Sequence, residues 1–147
     1  MGLEVQMACA LPDMPTQAEI ADWVRAVCDR FDTTGADLCI RVVEAAESRE
    51  LNHRYRGKDA PTNVLSFAGD LTLPESPVLG DLLLCAPVIQ QEAAAQDKSV
   101  HDHFAHLVVH GLLHLHGYDH QDEEEAHAME TLEMEMLAAF GISNPYR

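Results

Sequence analysis

Basic side chains are scarce in this chain. Nine lysines and arginines stand against 25 aspartates and glutamates in 147 residues, a formal net charge of −16. That deficit argues against broad, sequence-independent nucleic-acid binding, which needs a positive face to displace counterions. No apolar run approaches the roughly 20 residues that cross a bilayer, and no charged-then-apolar leader opens the sequence. These absences predict a soluble, intracellular protein. Close cysteine pairs are also missing: Cys9, Cys28, Cys39 and Cys85 are scattered in mostly apolar surroundings. They predict buried free thiols in a reducing compartment rather than zinc ligands or disulfides. Internal repeats and low-complexity linkers are absent too, so residues 1–147 are expected to form one domain around one core.

What is present is an alternation of strand and helix signals. Residues 3–8, 37–44, 63–67 and 80–85 are rich in apolar or β-branched side chains and predict four strands. Thr16 with Glu19 three residues on predicts a capping box for a helix to Phe31. Ser48 is expected to open a short helix to about Tyr55, and Pro87 a helix to about Asp97. Residues 70–79, with Pro74 and Pro77, are expected to be a loop. Ser99 is expected to cap a long helix ended by Gly117, and an acid-rich first turn to open a last helix from Asp122 to Phe140. The pattern predicts an α+β domain with a small mixed four-stranded sheet packed with about five helices. The Ser99 helix should be central, because Leu107, Val108, Val109, Leu112 and Leu113 leave little polar surface between its histidines.

That helix carries the most informative stretch, HGLLHLHGYDH at 110–120. Residues four apart share a helix face, so His110 and His114 can present two imidazoles to one ion. Gly117 permits the left-handed turn that reverses the chain and brings His120 round as a third ligand. Three protein ligands with an open position describe a catalytic zinc site. His106 extends the series. Because His106 and His114 lie about 12 Å apart along a helix axis, the choice is the pair 106/110 with an unknown third ligand, or 110/114 with His120. The glycine and its spacing favour the second. His116 is expected to be structural, and His101, His103 and His127 to lie at the surface or behind the ligands. Imidazoles suit zinc, nickel, copper or iron; one Zn²⁺ per chain is the expectation.

The three histidines and the glycine match the metzincin pattern H-E-x-x-H-x-x-G-x-x-H in register, but Gly111 stands where that pattern has its general base. A metallopeptidase is therefore the alternative reading, and a hydrolase of another substrate the preferred one. Asp119, beside a ligand, can assist as a base or orient an imidazole; orientation is preferred. A third reading is a non-enzymatic assembly factor with a structural metal.

The second notable stretch is YRGKDAPTNVLSF at 55–67. Arg49, Arg54, Arg56 and Lys58 supply four of the nine basic side chains. A loop rich in arginine that runs into a strand suits the anion-binding wall of a cleft, since guanidinium grips phosphate with two parallel hydrogen bonds. This tilts the substrate from peptide to phosphodiester. The plain alternative is that Arg56 and Asp59 merely staple the loop.

Together, 55–67 and 110–120 resemble the YbeY endoribonuclease family of rRNA maturation, with the strand GDLLLC at 80–85 fitting as well. The resemblance runs from about Glu44 to Phe140; Ala60 stands where the family more often has lysine. It implies a single-strand-specific, metal-dependent endoribonuclease of the cytoplasm that acts on the 3′ end of 16S rRNA and in ribosome quality control. Its partners would be single-stranded RNA, rRNA and the small ribosomal subunit, with no membrane and no organic cofactor. The resemblance implies His110, His114 and His120 as zinc ligands and Arg56 as the catalytic arginine. Asn63, Ser66 and Asp119 are expected to line the cleft or support the ligands.

Overall fold

The computed structural model describes residues 2–119 and 121–146. The chain runs β1 (Leu3–Met7), α1 (Gln17–Arg30), β2 (Asp37–Val43), α2 (Ala45–Arg56), β3 (Val64–Ala68), β4 (Val78–Cys85), α3 (Ala86–Ala95), α4 (Val100–Leu115) and α5 (Glu123–Ala139). The sheet order is β1-β2-β4-β3. β1, β2 and β4 are parallel, with Val5 opposite Ile40 and Val42 opposite Leu84. β3 is antiparallel to β4, with Ser66 opposite Leu82. This is the mixed four-stranded sheet with five helices that the sequence predicts, an α+β fold.

Side chains alternate across the sheet because the strand period is two. Ile40, Val42, Leu82 and Leu84 belong to the large core that also takes in Trp23, Val24, Phe104, Val108 and Leu112. Val43, Leu65 and Leu83 form a smaller cluster on the opposite face, with Leu51 of α2 and Phe67 packed against it. α4 is central: ten of its sixteen residues are buried, and it packs against α1, α3, α5, β3 and β4. Met129 and Met136 of α5 are core residues.

Local signals placed several boundaries. Thr16 and Glu19 form the reciprocal capping box. Ser99 caps α4 through the Asp102 amide and Asp122 caps α5 through that of Glu125. Four expectations need correction. α2 begins at Ala45, and Ser48 is buried inside it rather than capping it; its hydroxyl instead bridges both backbone groups of Thr62. β4 begins at Val78 rather than Gly80, because Asp37 of β2 pairs with Val78 across a bulge. α3 stops at Ala95, before Asp97 adopts a φ of 55°. α4 ends at Leu115 with His116 as its cap, and Gly117 follows at φ 99°. Cys9, Cys28 and Cys85 are buried free thiols, and Cys39 is half-buried.

Candidate metal centre and cleft

His106, His110 and His114 follow one face of α4 at four-residue spacing. The rings of His110 and His114 meet edge to face with centroids 4.6 Å apart, and their Nε2 atoms are 3.1 Å apart. Two imidazoles on one tetrahedral zinc, with bonds of about 2.0–2.1 Å, hold their nitrogens roughly 3.3 Å apart. The donor pair therefore fits a shared ion. His120, the expected third ligand, lies outside the described residues.

Behind His110 stands Glu133 of α5, which has no exposed surface. Its Oε1 accepts from His110 Nδ1 at 2.6 Å and its Oε2 from His106 Nε2 at 3.0 Å. The Tyr146 hydroxyl also donates to Oε2. Burial pushes this carboxyl up, but the bonds from His106, His110 and Tyr146 outweigh it and hold the pKa at about 2. Glu133 is thus an anion that only accepts. The proton of His110 is accordingly assigned to Nδ1, and the Nε2 lone pair is directed at His114. Burial and the Glu133 carboxylate push the Tyr146 phenol strongly upward, so it stays protonated.

The same contacts give the pair 106/110 a third donor, because ligand atoms of His106, His110 and Glu133 lie within 4.8 Å of one another. Within that group Glu133 bonds to His110 Nδ1 through Oε1 and to His106 Nε2 through Oε2. The two histidine pairs also open differently. His110 and His114 line a cleft of about 570 Å³, whereas His106 lines a pocket of about 190 Å³ against the C-terminal tail.

The large cleft gathers the rest of the expected site. Arg56, Asn63, Ser66 and Asp119 all line it with His110 and His114. Arg56 is the last residue of α2, exposed, and turned by Gly57 at φ 73°. Its Nη2 donates to the Ser66 carbonyl at 2.9 Å, and its guanidinium carbon lies 5.8 Å from the centre of the Phe67 ring. Asp59 is held by Arg49 at 2.7 Å, so the loop is stapled without Arg56. Asn63 accepts from the Val64 amide at 2.7 Å and donates to Glu92, which also accepts from His103 at 2.9 Å.

Gly111 packs into the sheet: a Cβ there would lie 2.4 Å from Leu82 Cδ2 and 3.3 Å from Val64 Cγ2. A side chain at the position of the metzincin base would have to push Leu82 aside. His116 is structural, stacked on Phe31 and bonded to Thr33 and the Leu112 carbonyl. His103 is 3 % exposed rather than at the surface, and burial lowers its pKa.

Glu133, Glu92 and Tyr146 were not singled out by the sequence. For Glu133 a signal existed: Met129, Leu132, Met136 and Leu137 share its side of α5 at helical spacing. An acid on an apolar stripe must be paired.

Comparison with known proteins places the chain. The family model described as Endoribonuclease YbeY matches residues 7–141. A protein of that name from Alkalilimnicola ehrlichii is 52 % identical, across 100 % of this chain and 92 % of its own length. Its namesake from Stenotrophomonas maltophilia is 50 % identical, across 98 % and 93 %. Among solved structures, the solution structure of TM1509 from Thermotoga maritima shares the fold, with a TM-score of 0.63 at 19 % identity over 99 % of both chains. No helix among the described residues is long and apolar enough to cross a membrane.

Proposed function

The chain belongs to the Endoribonuclease YbeY family, and from that premise we propose that it is a single-strand-specific, zinc-dependent endoribonuclease of the cytoplasm, acting on the 3′ end of 16S rRNA and in ribosome quality control. The observation that carries this reading is one cleft in which Arg56, Asn63, Ser66 and Asp119 face the converging Nε2 atoms of His110 and His114. His110, His114 and His120 would hold one zinc ion. When bound there, zinc supplies a Lewis acid that polarises a phosphoryl oxygen and acidifies water.

The protein's own groups do the rest. Arg56 binds the scissile phosphate and balances the charge that grows on its equatorial oxygens. The Ser66 carbonyl holds one guanidinium nitrogen and so orients the fork toward the cleft. Asn63, fixed at both ends, forms the wall where β3 begins. Asp119 is assigned to orienting an imidazole. The cleft suits an unpaired strand, whose bases can be splayed into it, better than a duplex that hides them.

The test is a labelled single-stranded RNA, with its duplex as control, incubated with parent protein and with His114→Ala purified identically. Cleavage of the single strand by the parent alone is expected. Equal cleavage by both would remove the His110–His114 site from the reaction.

A further inference from the structure

Glu133 of α5 reaches two histidines of the metal helix, His106 and His110. It accepts from His110 at 2.6 Å, from His106 at 3.0 Å and from Tyr146, and it is fully buried. A buried anion costs several kcal/mol unless its oxygens are satisfied. Here the donors come from α4 and from the C-terminal tail. His110 has two nitrogens, and the one that bonds to Glu133 determines which is left for the cleft. An imidazole protonated on Nε2 would turn its proton, not its lone pair, toward His114.

We propose that Glu133 is a positioning residue that acts through His110, locking the ring in the Nδ1–H tautomer so that Nε2 is presented for metal binding, with Tyr146 and His106 holding the carboxylate in place. This inference rests on the metal site proposed above. It also removes Glu133 from the ligands: an acid that orients a ligand cannot coordinate the same ion through the oxygen it uses for orientation. The opposing view is that Glu133 merely ties α4 to α5 and the tail, in which case its loss would alter folding and leave metal affinity alone.

The experiment measures zinc affinity by competition with a chromophoric chelator in parent, Glu133→Gln, Tyr146→Phe, His106→Ala and His114→Ala. The fold of each zinc-free protein is checked by circular dichroism. Glu133→Gln keeps the volume and removes the charge. It is expected to bind zinc about 10- to 100-fold more weakly with an unchanged fold, and Tyr146→Phe is expected to fall between it and the parent. Zinc affinity of Glu133→Gln within twofold of the parent overturns the inference. So does loss of zinc in His106→Ala with retention in His114→Ala, since the ion would then sit on Glu133 itself. If Glu133→Gln does not fold, the parent decides: imidazole ¹⁵N spectra of the zinc-free protein must show His110 protonated on Nδ1, and protonation on Nε2 overturns it. The two readings fail separately. Parental affinity in His114→Ala defeats the metal site, whereas lost affinity there with full affinity in Glu133→Gln defeats only the role of Glu133.

Discussion

Gly111 of α4 and Leu82 of β4 are in direct contact, so close that a β-carbon on Gly111 would lie 2.4 Å from one Leu82 methyl and 3.3 Å from the other. Leu82 is buried at 1 % exposure, so its methyls have packed neighbours on every side to displace. Overpacking of this kind costs about 1–3 kcal/mol, and replacing a mid-helix glycine by alanine returns about 1 kcal/mol. Gly111→Ala is therefore expected to lower the stability of the zinc-free protein by about 1 kcal/mol in urea titrations. In a Leu82→Ala background the 2.4 Å clash is gone and only the 3.3 Å approach to Val64 is left, so the same substitution should cost less or stabilise. A stabilising Gly111→Ala in the parent would show that the helix and sheet are not in contact there.

Among the described residues Arg56 makes one side-chain hydrogen bond, to a backbone carbonyl, while Asp59 is satisfied by Arg49. Arg56→Ala should then leave the loop and the bound metal intact. It should lower RNA cleavage by about 100-fold or more, as expected for a lost transition-state donor. Arg56→Lys should recover only part of the loss, because an ammonium lacks the two-pronged fork. Metal content by atomic absorption and cleavage rate, measured on one preparation, check both halves. A fully active Arg56→Ala would exclude the arginine from the mechanism.

Ser48 is 1 % exposed and its hydroxyl both donates to the Thr62 carbonyl and accepts from the Thr62 amide, each at 3.0 Å. With Asn52, which donates to the Ala60 carbonyl at 2.8 Å, it pins the 57–63 loop to α2. Ser48→Ala strands two backbone groups and should cost about 1–3 kcal/mol. The loop should also become the first site of limited proteolysis. Unchanged stability and an unchanged cleavage pattern would mean that the loop holds itself.

His101 bridges α1 and α4, with Nε2 2.6 Å from Glu19 and Nδ1 3.1 Å from Asp102. Burial disfavours its charge, but the Asp102 and Glu19 carboxylates outweigh that and raise its pKa above 6.5. Glu19, held first by the Thr16 amide and then by His101, is lowered below 4.5. A raised histidine contributes stability that is full below its unfolded pKa and fades as pH rises through the folded one. A lowered carboxylate contributes stability that is lost as pH falls. The bridge is therefore strongest in mild acid. His101→Gln should destabilise the zinc-free protein more at about pH 6 than at about pH 8.5, as read from urea midpoints. A larger effect at the higher pH would reverse the sign of the argument.

Features fixed by near neighbours were legible in the sequence. The Thr16–Glu19 box, the Ser99 cap, the start of α5 near Asp122 and the spacing of the α4 histidines involve residues within about one turn of each other. Ser48 misled because a serine ahead of a charged helical run looks like a cap, and only its closeness to Thr62 in space reveals its role. The reversed direction of β3 and the pairing of Asp37 with Val78 are contacts between remote segments, which no local pattern encodes. Arg56 and Asn63 could be named from their loop, but that the cleft unites them with His110 depends on β3 lying beside α4. Glu133 was concealed among its solvated acidic neighbours. The purpose of a single buried acid in such a run becomes visible only when the helix opposite it is known.

The pairing of Arg49 with Asp59 also shapes how a polyanion meets this surface. One of the few positive groups of α2, the helix that ends in Arg56, is neutralised locally, on a chain of net charge −16. At a distance the net charge repels an RNA strand; near contact Arg56 and its basic neighbours Arg54 and Lys58 attract it. Screening acts over about 8 Å at physiological ionic strength, so added salt removes the distant repulsion before it weakens the contact. Encounters quicken first, and binding loosens later. Turnover should consequently peak at an intermediate ionic strength, where a uniformly basic nuclease would show a steady decline.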